Sequence, residues 1–121
     1  MRKTSDILWQ DAQHQVLFEI LDLIRKPGTD RQVFYKLKDY TENHFYLEEC
    51  YMEALDYPGI EEHKAAHNGF RREVESLLTD GTEVDDQFME LIGTYLTEWL
   101  TRHVFGTDKK LEDFILQSGA K

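Results

Sequence analysis

The sequence predicts an all-α protein: an antiparallel up-down-up-down four-helix bundle with a short C-terminal helix. In four segments of similar length, apolar residues recur at steps of three and four, the spacing of the buried stripe on an amphipathic helix. Short connections containing glycine separate these segments, and connections of a few residues favour antiparallel neighbours. The sequence lacks the strict alternation of polar and apolar residues that marks a half-buried strand.

Turn-forming residues mark the ends of the predicted helices. They are Pro-Gly-Thr-Asp at 27–30, Tyr-Pro-Gly at 57–59 and Thr-Asp-Gly-Thr at 79–82. Asp30 is suited to cap the helix that follows it, and the acids within 82–86 suit the dipole at a helix start. The helices are therefore expected at about 11–26, 30–56, 60–79 and 83–105, with a short fifth helix at about 108–116.

Length and charge restrict the class of protein. The chain has 121 residues, which predicts one domain spanning 1–121. A net charge of -10 without a basic cluster argues against nucleic acid and anionic membrane surfaces as partners. No apolar run approaches the roughly 20 residues of a membrane span or follows the N-terminus as in a secretory signal. With a single cysteine as well, a cytoplasmic protein is expected.

All five histidines fall on the predicted core-facing stripes, and two acids accompany them in the sequence. These residues are His14, His44, Glu48, His63, His67, His103 and Asp108. A single histidine on an apolar face is usually a structural residue with satisfied hydrogen bonds. Five histidines on converging stripes, with the charges that Glu48 and Asp108 would add, would leave several buried polar groups unpaired, at a few kcal/mol each. A pair of divalent metal ions would engage the imidazole lone pairs and neutralise the carboxylates together.

The spacing of the ligand candidates supports a shared centre. Side chains four residues apart on a helix point the same way, as His44 and Glu48 do, and as His63 and His67 do. His103 and Asp108 are five apart, which places them on different faces of a regular α-helix. We expect a bend at positions 106–107, Gly-Thr, to return the acid to the core.

Four sequence strings contain these residues. They are Asp-Ala-Gln-His at 11–14, His-Phe-Tyr-Leu-Glu-Glu at 44–49, His-Lys-Ala-Ala-His at 63–67 and Trp-Leu-Thr-Arg-His-Val-Phe-Gly-Thr-Asp at 99–108. In this order they closely resemble the ligand motifs of the hemerythrins, particularly the bacterial hemerythrin-like proteins. The resemblance covers nearly the whole chain and fills all seven ligand positions. It implies a non-haem di-iron centre that binds O2 reversibly inside a four-helix bundle.

The resemblance also implies how the ligands are divided. His63, His67 and His103 would hold one iron ion (Fe2+/Fe3+), and His14 with His44 would hold the other. Glu48 and Asp108 would bridge the two ions beside a solvent-derived oxo or hydroxo group. Counting ligands then gives six for the first ion and five for the second, which leaves one position for O2. Because imidazole and carboxylate also suit manganese or zinc, the choice of iron rests on the resemblance.

Four apolar residues lie within about a turn of the ligands. Leu17, Phe45, Trp99 and Leu100 are predicted to form a dry wall of an O2 pocket over the open position, and ordinary core packing is the alternative. The N-terminus departs from the family pattern. Only ten residues precede Asp11, fewer than in many bacterial members, and Gln10 stands where an isoleucine is usual. Three glutamates that flank ligands, Glu49, Glu61 and Glu62, are expected to be solvated.

Three functions are compatible with these residues. The first is O2 binding for storage or delivery. The second is O2 or redox sensing, with an attached or partner signalling domain that reads the state of the bundle, so that the chain is either a whole protein or a domain of a longer one. The third is di-iron enzyme activity on peroxide or nitric oxide, or repair of iron centres. The sequence offers no evident acid or base beyond the ligands, so the chain is predicted not to be an enzyme.

Overall fold

The fold is all-α in the part of the chain that the computed structural model describes, residues 3–79 and 85–119. Its α-helices are α1 (Leu8–Ile24), α2 (Gln32–Ala54), α3 (Ile60–Thr79), α4 (Asp86–Arg102) and α5 (Asp108–Ser118), and a π-helix (His103–Thr107) joins α4 to α5. Helix α1 packs against α2 and α4, and α2 packs against α3. The predicted four-helix bundle with a C-terminal helix is confirmed. No helix among these residues is both long and apolar enough to span a membrane.

Side-chain hydrogen bonds lie near the starts of α2 and α4. The carboxylate of Asp30 accepts the backbone N–H of Gln32, the first residue of α2, at 2.8 Å, although the N-cap position is Arg31, one residue later than predicted. Asp85 caps α4 by accepting the N–H of Phe88 at 2.8 Å. Helix α1 begins at Leu8, three residues before the predicted start at about residue 11. Its N-terminus has no side-chain cap from which the sequence could predict that start. The predicted turn at 80–82 lies outside the described residues.

The apolar core consists of two clusters. The larger one contains residues from α1 to α4 and the first part of the π-helix: Leu17, Ile20, Leu21, Ile24, Val33, Phe34, Leu37, Phe45, Phe70, Val74, Met89, Leu96, Leu100 and Val104. The smaller one contains Ile7, Met52, Tyr57, Leu111 and Ile115. Along the sequence, the predicted ligands of α1 and α2 lie between members of the two clusters. Asp108, at the start of α5, lies between Val104 of the larger cluster and Leu111 of the smaller one. The ligands therefore lie in a polar layer with apolar packing on both sides.

Removing a large core side chain from the bundle should destabilise it strongly. Phe34 is 0 % exposed in the larger cluster, so Phe34→Ala is expected to lower the free energy of unfolding by about 3–5 kcal/mol. The neighbouring Tyr35 is 51 % exposed, so Tyr35→Ala should change it by only about 0.5 kcal/mol. Urea denaturation of the two variants beside the unsubstituted protein measures both changes. Equal losses would contradict this description of the core.

Candidate metal centre

All seven predicted ligand residues meet in one buried cluster. Helix α1 supplies His14, α2 supplies His44 and Glu48, α3 supplies His63 and His67, the π-helix begins with His103, and α5 begins with Asp108. None of these residues is more than 4 % exposed. We refer to these seven residues as the buried cluster.

Within the described residues, the buried cluster divides into two overlapping groups that could each hold a metal ion. The three-histidine half comprises Glu48, His63, His67, His103 and Asp108, and the two-histidine half comprises His14, His44, Glu48 and Asp108. In each half, the ligand atoms all lie within 4.8 Å of one another. Both carboxylates belong to both halves.

The two oxygens of Glu48 face different halves of the buried cluster. Oε1 lies 3.1 Å from Nε2 of His67 and 3.4 Å from Nε2 of His63. Oε2 lies 3.5 Å from Nε2 of His44, in the two-histidine half. A carboxylate in this orientation is suited to bridge two cations.

The two oxygens of Asp108 also face different halves of the buried cluster. Its Oδ1 lies 2.9 Å from Nε2 of His63 and 3.0 Å from Nε2 of His103, whereas its Oδ2 lies 3.0 Å from Nε2 of His14. Each carboxylate therefore presents one oxygen to each half.

A π-helix brings His103 and Asp108 to the same side of the chain. The N–H of Asp108 donates to the carbonyl oxygen of His103, a bond between residues five apart that aligns their side chains. The predicted bend at Gly106 and Thr107 is therefore wrong, because the backbone stays helical. A Cβ built on Gly106 meets nothing within 4 Å, so packing there does not require glycine. Single π-helical turns inside α-helices are frequent at functional sites.

The hydroxyl group of Thr4 contacts Nδ1 of His14 and fixes the tautomer of this imidazole. Thr4 Oγ1 donates its only proton to Oδ1 of Asp11 at 2.8 Å, so it accepts the Nδ1–H of His14 at 3.0 Å. In the neutral ring the proton is therefore on Nδ1. Nε2 then presents a lone pair to the centre of the buried cluster, as a metal ligand does.

Two further imidazoles are oriented from the neighbouring helix. Oε1 of Gln13 lies 2.6 Å from Nδ1 of His44, and Oε2 of Glu49 lies 2.8 Å from Nδ1 of His67. Oxygen acceptors at these positions favour the tautomer with the proton on Nδ1. Arg71 donates to the same oxygen of Glu49 at 3.1 Å. Burial raises the pKa of Glu49, but the hydrogen bonds from His67 and Arg71 outweigh it and lower the pKa overall.

Unpaired buried atoms show that the buried cluster fits a metal centre. Among the described residues, the atoms without a hydrogen-bond partner include Nε2 of His14, His63, His67 and His103, Oε1 of Glu48, and both carboxylate oxygens of Asp108. Leaving such groups unsatisfied in an apolar interior costs about 1–3 kcal/mol each, and more for charged groups. Nitrogen lone pairs and carboxylate oxygens converge here, and a cation is the partner that suits both.

Comparison with known proteins agrees with this geometry. A family model described as "Hemerythrin HHE cation binding domain" matches residues 6–115. The chain belongs to the hemerythrin family. It is 26% identical over 114 residues to a bacteriohemerythrin from Clostridium acetobutylicum, a match covering 85% of this chain and 88% of the relative. It is 33% identical over 111 residues to a myohemerythrin from Theromyzon tessulatum, covering 89% of this chain and 86% of the relative.

These matches confirm the resemblance drawn from the motifs to the hemerythrins, including the bacterial hemerythrin-like proteins. A further bacteriohemerythrin, from Stenotrophomonas maltophilia, is 30% identical over 112 residues, with 85% of this chain and 71% of the relative covered. Hemerythrins are oxygen-binding proteins, so the expectation that this chain is not an enzyme is confirmed at the level of the family.

Without metal, the carboxylates of the buried cluster raise the pKa of two of its histidines. Burial lowers the pKa of His14 and His63, but the close approach and the negative charges of Asp108 and Glu48 outweigh it and raise each pKa to about 9. Burial lowers the pKa of His44 to about 4. Burial raises the pKa of both acids, but the surrounding histidines outweigh it and keep both below their usual values. Two imidazolium ions then neutralise two carboxylates.

The four predicted pocket residues all belong to the core of this hemerythrin. Leu17, Phe45 and Leu100 are buried, and Trp99 is partly buried against the larger cluster. The ring of Phe45 stacks on His67 with centroids 3.8 Å apart, and the ring of Trp99 stacks on His103 at 4.7 Å. Both aromatic rings therefore support imidazoles of the three-histidine half. Phe45 also lies 5.9 Å from the ring of His44, between the two halves.

Sequence reasoning missed the residues that surround the ligands. Glu49 was expected to be solvated, but its side chain is only 16% exposed and it contacts His67. Gln13 and Glu49 each adjoin a ligand in the sequence, and that position was the only available signal. Thr4 precedes α1, so its contact with His14 depends on the path of the N-terminal segment, which helical periodicity does not describe.

Metal binding should release protons at neutral pH. Because a metal requires neutral imidazole, His14 and His63, with pKa values of about 9, should together lose about two protons per chain at pH 7.5 when metal binds. The apparent affinity should rise with pH and level off above about 9, where both rings are already neutral. Calorimetric titration with Zn2+ in buffers of different ionisation enthalpy counts these protons. Release of less than one proton would contradict the charge balance described above.

The contact between Glu49 and His67 should strengthen metal binding. Glu49→Gln removes the negative charge that supports the imidazole, and we expect metal affinity to fall by at least about tenfold. The matched control is Glu61→Gln, because this exposed glutamate also flanks a ligand in sequence. Metal competition with a chromophoric chelator measures both affinities. Equal affinities of the two variants would argue against a role for Glu49.

Proposed function

We propose that this chain binds O2 reversibly at a non-haem di-iron centre, for storage or delivery of oxygen. The observation that carries the proposal is the division of the buried cluster into two unequal halves. Three imidazoles lie in one half and two in the other, and both carboxylates are shared. This is the ligand division expected of a hemerythrin, and the family match covers most of the chain.

In this proposal, His63, His67 and His103 would hold one iron ion and His14 and His44 would hold the other. Glu48 and Asp108, which belong to both halves, would be shared by the two ions. When bound in the ferrous state, the pair of ions supplies the electrons that reversible binding of O2 requires. The two-histidine half offers one imidazole fewer than the other half, so O2 would bind on that side of the buried cluster.

The protein contributes orientation and exclusion of water. Thr4, Gln13 and Glu49 hold three of the imidazoles with Nε2 turned inward. Apolar clusters lie on both sides of the polar layer and keep its groups buried. A site with these properties restricts access of water and protons to bound O2. Restricted access favours release of O2 over irreversible oxidation of the centre.

The O2 pocket is proposed to be lined by Leu17, Phe45, Trp99 and Leu100. All four pack in or against the larger apolar cluster, whose members continue directly from the ligands along α1, α2 and α4. A single domain over 1–121 and a cytoplasmic location stay predictions, as does the choice of storage over sensing.

Anaerobic reduction followed by exposure to air tests the proposed function. The reconstituted protein should contain two iron ions per chain and gain a visible absorption with O2 that disappears under vacuum and returns with fresh O2. His44→Ala removes a ligand of the two-histidine half alone, and it should abolish the O2 response with loss of iron from that half. Retention of a single metal ion by the unsubstituted protein, or irreversible bleaching in air, would exclude reversible O2 binding.

Substitution of Leu100 tests the pocket. Leu100 is 3% exposed and lies three residues before His103, and Leu100→Asn should admit water and speed autoxidation severalfold. Leu100→Met, a change that keeps the site apolar, should stay close to the original rate. The decay of the O2-dependent absorption at constant O2 measures the rate. If the asparagine variant decays no faster than the methionine variant, Leu100 does not line the pocket.

A further inference from the structure

Gln10 is a fully buried amide that touches the metal centre. It lies on α1, one turn before His14, and it is 0 % exposed. Its Nε2 donates to Oε2 of Glu48 at 2.8 Å. Glu48 therefore receives a neutral hydrogen-bond donor from another helix, directly on one of its ligand oxygens.

The orientation of the Gln10 amide is fixed by Ser5. The backbone N–H of Ile7 donates to Oγ of Ser5 at 3.0 Å, and Ser5 Oγ donates to Oε1 of Gln10 at 2.7 Å. Because the hydroxyl proton is directed to the amide oxygen, the NH2 group of Gln10 faces Glu48. The reversed amide would place its oxygen against a carboxylate. The three contacts therefore assign Gln10 as a donor.

This donor acts on the two-histidine half. Oε2 of Glu48 lies 3.5 Å from Nε2 of His44 and 3.8 Å from Nε2 of His14, whereas Oε1 faces the three-histidine half. Asp108, the other shared acid, has no such support: both of its oxygens lack a hydrogen-bond partner among the described residues. A donor to a ligating carboxylate fixes its orientation and stabilises its charge.

We propose that Gln10 is a positioning residue that holds Oε2 of Glu48 toward His14 and His44, and so sets how tightly the two-histidine half binds its metal ion. The proposal rests on the proposed two-metal centre. Gln10 acts on one oxygen of a shared ligand, so its effect falls mainly on one of the two ions. A residue that only filled space between α1 and α2 would affect both ions alike or neither.

Titration of the metal-free protein with Co2+, followed by visible absorption, tests this proposal. The unsubstituted protein should bind two ions in two steps, and His44→Ala identifies the step that belongs to the two-histidine half. Gln10→Met removes the donor while retaining an unbranched side chain of similar length. It should weaken that step by about tenfold and change the other by no more than about twofold.

Two further variants complete the comparison. Ser5→Ala leaves the donor in place but frees its orientation, so it should weaken the same step by a smaller factor, and it keeps the test open if Gln10→Met does not fold. Thr41→Val is the matched control, because this buried hydroxyl donates to the backbone oxygen of Leu37 and lies outside the buried cluster. It should leave both steps unchanged.

The outcomes separate the two proposals. If the unsubstituted protein binds two ions and Gln10→Met leaves both steps unchanged, or weakens both equally, the positioning role is wrong and the two-metal centre stands. If the unsubstituted protein binds fewer than two ions, the proposed di-iron function fails first. Selective weakening of the two-histidine step by Gln10→Met and Ser5→Ala, with Thr41→Val unchanged, supports the role of Gln10.

Discussion

Two carboxylates buried in an apolar bundle are the constraint on which this structure depends. Glu48 and Asp108 are 0% and 1% exposed, and an ionised carboxyl in such surroundings is strongly unfavourable unless positive charge accompanies it. The five histidines meet that requirement in two ways. Without metal, the neighbouring acids outweigh burial and raise the pKa of His14 and His63 to about 9, and with metal, all five histidines can turn neutral lone pairs toward cations. The same side chains thus accompany the buried carboxylates with positive charge in the metal-free protein and bind metal in the metal-bound protein.

Orientation of the ligands depends on contacts between neighbouring helices. Gln13 on α1 holds His44 on α2, and Glu49 on α2 holds His67 on α3. The segment before α1 adds the contact from Thr4 to His14. Three of the five ligand rings, those of His14, His44 and His67, are therefore aligned by an element other than their own. Packing of the bundle and geometry of the metal centre cannot vary independently, which gives the centre rigidity that no single helix could supply.

Helical periodicity is sufficient to predict the bundle and to place six of the seven cluster residues, all except Asp108, on stripes that face its interior. A stripe with a repeat of 3.6 residues identifies side chains that face a common interior, and His44, Glu48, His63 and His67 follow it. Thr4 and Gln10 both precede residue 11, where the first helix is predicted to begin, so periodicity gives no prediction of their contacts. Periodicity also assumes a regular α-helix, so it predicts a bend, and not a π-helix, between His103 and Asp108.

The π-helix has a consequence that extends past the metal centre. One additional residue in a helix rotates everything after it by about 100° relative to an uninterrupted α-helix, given 3.6 residues per turn. Leu111 and Ile115 on α5 therefore face the smaller apolar cluster in the same register that places Asp108 in the buried cluster. Deletion of one residue between 103 and 107 would turn both faces away together. The orientation of α5 about its axis and the position of Asp108 in the buried cluster are thus both fixed by the π-helix.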